Sequence, residues 1–522
     1  MKKRHLHTTG TVIMALAAAM TLSSCGGTAT SSMSSSRADT VIIGTGATPQ
    51  SLDPVLSSET QTDFTTAAMY DTLVGYDENG VLVPRIATAW TYNDSATAID
   101  VDLRNDVVFH SGRKLTATDV VFTLDRAKRL GIGVASFIPD YESATALDDT
   151  HLTIMLKAPN TNFVGALSKV YIVDSALVQS NTGTDDGQTW LANNDAGSGV
   201  YTLTGYTANQ QAAFSRFDNS WRFEADRPAA LVYRYITESA TLRDELVSGG
   251  VDVVTGLNPT DLGVVSARDD LDVVALPSPV QLYVMMNTQS GPTADIRVRQ
   301  AIQDAYDYDG HISSILSGNG TVASGITSPT VTCRLDTGRS VRNLDEAKKL
   351  VEEAGAAGTT LRLAYQPVIP EHQKAATLLQ SNLQEIGINL ELDTVTFPEY
   401  TSMIGSAAFT PDLAILWNFP FYPEIGPMLS RTYDSSFVDQ TNYARYSNPA
   451  VDSLLREATA DTDRAAACAD FQRAQEIIAA DRVSVNISNP TLSTVVRDGV
   501  GGITFDPTAA LFNPSLLTVT KP

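Results

Sequence analysis

Apolar side chains along the chain follow two spacings, one typical of strands and the other of helices. Apolar and polar residues alternate over 98–103, which predicts a half-buried strand. After Thr116 the apolar positions are three and four residues apart, as on one face of a helix. Thr116 and Asp119 have the pattern of a capping box, and Gly131 is a stop signal. The pattern therefore predicts a helix that ends near Leu130.

The same two spacings predict further elements in the rest of the chain. Alternating or β-branched segments predict strands at 40–44, 361–365, 389–394 and 411–417. Periodic segments with capping residues or terminal glycines predict helices at 295–308, 343–354, 371–386 and 463–479. Strands that alternate with helices favour α/β layers in which helices cover most of the sheets.

The start of the chain has the pattern of an export signal. Basic residues at 2–4 precede a mostly apolar stretch at 11–22, which is shorter than the about 20 residues that span a bilayer. The following Leu-Ser-Ser-Cys-Gly-Gly resembles a bacterial lipobox, in which Cys25 would carry the lipid. We therefore expect a signal peptide at 1–24 and a lipidated flexible tether at 25–38. An ordinary signal peptide followed by a chance cysteine is the alternative.

Composition narrows the range of partners. The 522 residues are 43% hydrophobic and 18% charged, which is typical of a globular protein with well-formed cores. The formal net charge of −23 disfavours nucleic acid, because proteins that bind it usually carry a basic face. We expect no nucleic-acid partner, and we interpret the acidity as a source of solubility.

Motifs of common catalytic sites are missing from the sequence. It contains no Gly-Lys dipeptide and hence no P-loop, and neither His-Glu-x-x-His nor Gly-x-Ser-x-Gly occurs. The histidines beyond the signal segment are far apart, at His110, His151, His311 and His372. We therefore predict no catalytic residue, no metal site, no cofactor and no enzymatic activity. A surface hydrolase without a recognisable motif is the alternative from another class.

Two cysteines occur beyond Cys25, at Cys333 and Cys468. An exported protein can form a disulfide between them, but the sequence does not show that they lie close in space. Two unpaired thiols are the alternative, and the spacing does not match a zinc site.

Several short segments are similar, in chain order, to those of one family of binding proteins. The most specific is Val-Asp-Leu-Arg-Asn-Asp-Val-Val-Phe-His-Ser-Gly at 101–112, followed by Leu-Thr-Ala-Thr-Asp-Val-Val-Phe at 115–122. Further similar segments are 51–54, 70–74, 83–87, 197–201, 298–301 and 387–390. From about Asp39 onward the chain resembles the solute-binding proteins of ABC importers in the dipeptide, oligopeptide and nickel-binding family (family 5). It departs from the family pattern at Val200, where the family has proline.

The resemblance implies an α/β, two-lobed fold of the periplasmic-binding-protein type (class II, cluster C). An extra domain would be inserted in the first lobe. The expected bounds are 39–69, 197–276 and 495–522 for lobe I, 70–196 for the extra domain, and 277–494 for lobe II. Such folds close about a hinge over their ligand.

The resemblance also implies a function. We expect an extracytoplasmic, lipid-anchored, monomeric protein of the cell membrane that delivers a peptide or peptide-like solute to an importer. The permease and ATPase subunits of that importer would be separate chains. The alternatives are another solute on the same fold, such as a sugar or a metal chelate, and a sensory role without transport.

The aromatic-rich segment 417–424 is where the resemblance implies the ligand. Peptide-binding members have an Asp there for the α-amine and an Arg elsewhere for the carboxylate. This sequence lacks the Asp, has Gln366 at the position of the Arg, and offers Glu424 as the alternative acid. Because unpaired buried charges are costly, a free zwitterionic dipeptide is disfavoured. The candidate ligand-binding residues are Trp417, Asn418, Phe419, Tyr422, Gln366 and Tyr283.

Overall fold

The computed structural model describes residues 39–508 and 511–520. The predicted signal peptide, the tether and Cys25 lie outside the described residues. Within the described residues, no helix has both the length and the apolar composition of a membrane span.

The described residues form strands that are mostly six residues long or shorter. In chain order they are β1 (Thr40–Thr45), β2 (Val74–Tyr76), β3 (Leu82–Pro84), β4 (Ala87–Tyr92), β5 (Ala98–Leu103), β6 (Tyr141–Ala146), β7 (His151–Leu156), β8 (Tyr201–Thr207), β9 (Gln211–Arg216), β10 (Ala230–Tyr235), β11 (Val253–Thr255), β12 (Leu271–Leu276), β13 (Gln281–Met286), β14 (Gly320–Val322), β15 (Thr360–Tyr365), β16 (Asn389–Thr394), β17 (Leu413–Asn418), β18 (Ser484–Pro490), β19 (Leu492–Arg497), β20 (Val500–Gly501) and β21 (Thr518–Val519).

The helices of the described residues vary more in length. They are α1 (Thr60–Thr66), α2 (Ala117–Leu130), α3 (Phe163–Ala166), α4 (Ser175–Ser180), α5 (Gln188–Leu191), α6 (Ser239–Ser248), α7 (Pro259–Val265), α8 (Ile296–Ala305), α9 (Tyr308–Gly310), α10 (Leu344–Glu353), α11 (Pro370–Glu385), α12 (Phe397–Ile404), α13 (Ile425–Tyr433), α14 (Pro449–Ala460) and α15 (Arg464–Ala480). Short 3-10 turns lie at Pro54–Leu56, Gly133–Phe137, Leu167–Lys169, Pro292–Ala294, Ser435–Phe437 and Pro514–Leu516, and a π turn lies at His311–Ile315.

A seven-stranded sheet has the order β12-β19-β11-β1-β10-β9-β8. Strand β1 is parallel to both of its neighbours, whereas the outer pairs are antiparallel. Because β1 is central, its Val41 and Ile43 are almost completely buried. We call this sheet and the elements that pack on it the seven-stranded body. Its strands come from three separate segments of the chain.

A six-stranded sheet has the order β14-β18-β13-β17-β15-β16. Strand β15 is parallel to β16 and β17, and helix α11 connects β15 to β16. This confirms the strands predicted at 361–365 and 389–394 and the helix predicted between them. Helices cover both faces, since one core contains α8, α10 and α11 and the other contains α13, α14 and α15. We call this unit the six-stranded body.

A four-stranded antiparallel sheet, β4-β5-β7-β6, packs against α2. The strand predicted at 98–103 is β5, and the predicted helix is α2. Thr116 and Asp119 form the capping box, and Gly131 ends the helix with a positive φ of 63°. We call this unit the four-stranded body.

The fold is therefore α/β and two-lobed, as predicted, with the four-stranded body as the extra domain. Strand β19 begins at Leu492, slightly before the predicted start of the last lobe I segment. The predicted residue bounds of the domains remain a prediction.

The helix predicted at 295–308 is too long. Helix α8 ends at Ala305, because Tyr306 has an extended backbone and the Asp307 side chain caps a new turn at Gly310. The Tyr306 hydroxyl contacts Nδ1 of the buried His311 at 2.8 Å. A local side-chain cap thus overrides the helical spacing of the apolar residues.

Candidate ligand-binding site

A cavity of about 420 Å³ lies where the three bodies meet. Residues 57–63 contribute wall from the seven-stranded body, and Phe137 and Lys169 contribute wall from the four-stranded body. Glu371, Trp417 and residues 419–421 contribute wall from the six-stranded body. Sites for small molecules typically span about 300–1,000 Å³, so the cavity has the size for a small solute.

Aromatic side chains form much of the wall on the six-stranded body. We call residues 417–422, at the end of β17, the aromatic loop. Trp417 is 40% exposed and Phe419 is 38% exposed, and both line the cavity. Phe421 packs against Phe137 of the four-stranded body, with ring centroids 4.5 Å apart. Such a wall favours apolar groups and cations.

Strand geometry separates neighbouring candidates in the sequence. Successive side chains of a strand point to opposite faces, so Trp417 and Asn418 cannot face the same cavity. Asn418 is buried, and its amide donates to the carbonyl of Ile326 at 3.4 Å. Tyr283 lies opposite Leu416, the residue before Trp417, in the pairing of β13 with β17. Its side chain is buried in the core that contains α13, α14 and α15. Neither Asn418 nor Tyr283 lines the cavity.

The two other candidates also lie away from the cavity. Tyr422 follows β17 of the six-stranded body, but its side chain is buried in the core of the four-stranded body. Its aromatic ring therefore helps to hold these two bodies together. Gln366 is half-buried in the turn between β15 and α11, where its carbonyl accepts from the backbone of Ile369 at 3.2 Å. The structure thus brings only Trp417 and Phe419 of the six candidates to the cavity wall.

Arg431 on α13 contacts two residues of the aromatic loop. Its Nη2 donates to the carbonyl of Phe419 at 2.6 Å. Its guanidinium carbon lies 4.3 Å from the ring centroid of Phe421. One side chain therefore fixes both the backbone and an aromatic ring of this wall.

We expect Arg431→Met to lower the free energy of unfolding by about 1–2 kcal/mol, because a charged hydrogen bond and a cation–π contact are lost. Urea denaturation followed by circular dichroism measures the change. Arg339→Met is the control, since Arg339 is exposed and, among the described residues, pairs only with the exposed Asp309. Equal stability of the Arg431 variant and the wild type would contradict this role.

The positive charge in the cavity wall is already balanced. Lys169 Nζ lies 2.6 Å from Asp63 Oδ2 and donates to the carbonyl of Thr508 at 2.7 Å. The Tyr171 hydroxyl donates to the other oxygen of Asp63 at 2.9 Å. Burial raises the pKa of Asp63, and the charge of Lys169 opposes this shift. The charges of Lys169 and Asp63 are therefore paired with each other, and neither needs a charged group of the solute.

Glu371 is the other ionisable residue of the wall. It lies in the first turn of α11, and its side chain is 14% exposed. Its Oε1 is 3.4 Å from both Nε2 of His311 and Oγ of Ser488. In the described part of the chain, Glu371 has no Lys or Arg within salt-bridge distance, and its Oε2 has no hydrogen-bond partner.

The Glu371, His311 and Ser488 cluster does not have the geometry of a hydrolase triad. In a triad the base contacts the nucleophile through one ring nitrogen and the orienting acid through the other. Here Glu371 and Ser488 both approach Nε2 of His311, and Tyr306 occupies Nδ1. His311 and Ser488 are also completely buried, so a substrate carbonyl cannot reach the hydroxyl.

Glu424, the alternative acid, is buried outside this cavity. Its carboxylate accepts from the Tyr76 hydroxyl at 3.0 Å and from Thr332 Oγ1 at 3.2 Å, and it pairs with Arg464 at 2.6 Å. These partners come from β2, from the segment after β14 and from α15. Glu424 thus has a structural role, because it connects three segments of the chain next to the aromatic loop.

The disulfide between Cys333 and Cys468 is present, with Cα atoms 5.2 Å apart. Cys333 follows Thr332, and Cys468 lies one helical turn beyond Arg464 on α15. The bond therefore joins two of the three segments that hold Glu424. Among the described residues, no group of His, Cys, Asp and Glu has the arrangement of a metal site.

Sequence reasoning missed Glu371, although a signal existed. An acidic residue in the first turn of a helix that follows a buried strand lies at the carboxyl edge of the sheet, where α/β folds bind ligands. Asp63 and Lys169 offered no such signal, because they are far apart in the sequence.

Most of the chain matches the sequence pattern of one known protein family. The family described as "Bacterial extracellular solute-binding proteins, family 5 Middle" matches residues 81–440, which is well over half of the chain. The chain belongs to this family. The family predicted from the sequence motifs is therefore confirmed, and family 5 members are binding proteins of ABC importers and not enzymes.

Relatives and solved structures of family 5 match almost the whole chain. The probable D,D-dipeptide-binding periplasmic protein DdpA of Escherichia coli is 26% identical over 481 residues, 90% of this chain and 92% of that protein. The structure of HbpA2 from Haemophilus parasuis has a TM-score of 0.82 at 19% identity, covering 92% of this chain and all of that chain. DppA from Helicobacter pylori in complex with the peptide STSA has a TM-score of 0.75 at 21% identity, covering 92% and 98%. These structures support the same fold.

Proposed function

We propose that this protein captures a small peptide or peptide-like solute outside the cytoplasmic membrane and delivers it to an ABC importer. The observation that carries the proposal is the cavity at the junction of the three bodies, with its aromatic wall. Closure of two lobes over such a cavity removes a small solute from water on most sides. Relatives named as di- or tripeptide-binding proteins support a peptide-like solute.

The N-terminal sequence supports a location at the cell membrane. We propose that Cys25 carries acyl chains that hold the monomer on the extracytoplasmic face of the cell membrane, with 25–38 as a tether. The folded body then stays near the permease, while the solute moves from the cavity to the membrane subunits. ATP hydrolysis is the task of a separate subunit in this proposal.

We expect a small peptide to co-purify with the tag-free protein, made without Cys25 and isolated from rich medium. Native mass spectrometry detects the added mass, and mild denaturation releases the peptide for sequencing. Val280→Trp fills the cavity and removes the added mass, because Val280 lines the wall. Val264→Trp is the matched control, since Val264 is 51% exposed on α7 and does not line this cavity.

Other outcomes separate the alternatives. An empty protein whose thermal midpoint rises with sugars or metal chelates, and not with peptides, would exclude the peptide proposal while retaining solute binding. Retention of the added mass in the Val280 variant would place the solute elsewhere on the protein.

A further inference from the structure

Glu371 brings a carboxylate to a cavity that is otherwise largely apolar. Its side chain is only 14% exposed, and Glu371 is one of the residues that line the cavity. Its contacts with His311 and Ser488 both use Oε1 and are long, at 3.4 Å, which leaves Oε2 free to accept. A carboxylate held in this way accepts strong hydrogen bonds from a cationic donor.

The charges of the cavity wall do not cancel. Lys169 contributes one positive charge, and its distance of 2.6 Å to Asp63 commits that charge to a partner. Among the described residues, Glu371 has no Lys or Arg partner, and its contact with His311 is long, at 3.4 Å. A solute with one positive charge therefore completes the balance, whereas a solute carboxylate would find no uncommitted cation among the wall residues.

The aromatic side chains of the wall favour the same type of solute. Trp417 is edge-on to His372, the residue after Glu371, with ring centroids 5.2 Å apart. The start of α11 is therefore adjacent to Trp417. Trp417 and Phe419 remain well exposed in the cavity and offer their rings to a cation or to apolar groups.

We propose that Glu371 and Trp417 form a subsite for an ammonium or guanidinium group, and that the cavity selects a monocationic solute with an otherwise apolar, uncharged body. This inference rests on the proposed solute-binding function and narrows its substrate class. In peptide terms, the favoured ligand has a free amine and no free carboxylate, in contrast to a zwitterionic dipeptide.

Four derivatives of one dipeptide test the inference by isothermal titration. They are Leu-Leu amide, which is a cation, free Leu-Leu, which is a zwitterion, N-acetyl-Leu-Leu amide, which is neutral, and N-acetyl-Leu-Leu, which is an anion. We expect the cation to bind most tightly, by about 10- to 100-fold over the neutral form, because one charged hydrogen-bonded contact is lost on acetylation. The zwitterion binds more weakly than the cation, because its carboxylate is unpaired.

Two variants locate the effect. Glu371→Gln keeps the shape of the side chain and is expected to abolish the preference for the cation over the neutral form. Trp417→Leu keeps an apolar wall and lowers affinity for the cation about 3- to 10-fold while retaining the preference. Glu399→Gln is the matched control, because Glu399 also lies in the first turn of a helix but does not line the cavity. Thermal unfolding of each variant confirms that it is folded.

Failure of the subsite and failure of peptide binding give different results. Equal affinities for the cation, zwitterion and neutral form, or a preference that survives Glu371→Gln, would overturn the subsite while peptide binding stands. Hexylamine and hexanol provide a test without a peptide. Binding of hexylamine over hexanol, lost in Glu371→Gln, with no peptide bound, would support the subsite and overturn the peptide function. No binding of any probe would overturn both.

Discussion

Replacing Cys333 and Cys468 with alanine is expected to lower the free energy of unfolding by about 3–5 kcal/mol. The bond closes a loop with a sequence separation of 135 residues, so its loss greatly enlarges the ensemble of the unfolded chain. Urea denaturation under oxidising conditions measures the change as a shift of the midpoint between wild type and the double variant.

The reducing agent supplies the control for this prediction. Dithiothreitol is expected to shift the wild type to the stability of the double variant and to leave the double variant unchanged. Equal midpoints of oxidised wild type and double variant would show that the loop closure contributes nothing. A shift of the double variant by dithiothreitol would show that the reagent acts elsewhere.

The disulfide also bears on the site, through its neighbours. Cys333 follows Thr332, which donates from its backbone to the carbonyl of Pro423 at 2.9 Å and from its side chain to Glu424. Arg464 binds Glu424 from α15. Loss of the bond therefore loosens two of the contacts that hold the end of the aromatic loop, so solute affinity should fall along with stability.

Local patterns were sufficient to predict much of the fold. The capping box at Thr116 and the glycine at 131 specify α2, because both act within a few residues. The strand–helix–strand unit from β15 to β16 was predicted within one or two residues for the same reason. The error at the end of α8 arose where Asp307 started a new turn, a contact that the spacing of apolar residues does not encode.

The site was less predictable, because it is assembled by distant segments. The sequence indicated an aromatic loop, and Trp417 and Phe419 do line the cavity. The sequence indicates Trp417 and Asn418 together, but both belong to β17, where successive side chains point to opposite faces. Glu371 becomes a neighbour of this loop because α11 packs beside β17, and Lys169 becomes one because the four-stranded body packs against the six-stranded body. The spacing of residues along the sequence does not predict contacts between segments that are this far apart.

His372 is expected to make the folded protein sensitive to acid. It is 1% exposed, and neither ring nitrogen has a hydrogen-bond partner in the part of the chain that the structure describes. Burial lowers the pKa of His372 from 6.5 to about 4. Between these values the unfolded chain takes up a proton that the folded protein does not, so stability falls as the pH falls. From pH 7 to pH 4 this loss is about 3 kcal/mol.

The variant His372→Leu removes this titration and is expected to lose about 3 kcal/mol less than wild type over the same pH range. At pH 7 the variant is expected to be at least as stable as wild type, because two unpartnered buried nitrogens are removed. Urea denaturation at a series of pH values gives the difference between the two proteins as a function of pH.

His151 provides a control of opposite sign. It is exposed, and its hydrogen bond with Asp148 raises the pKa of the imidazole. A raised pKa adds stability below the unfolded value and loses it as the pH rises, so His151→Leu should lose stability relative to wild type in acid. If wild type and His372→Leu respond equally to acid, His372 titrates in the folded protein as it does in the unfolded chain. In that event the α11 face beside Trp417 admits water, and the wall of the cavity is more polar than its packing indicates.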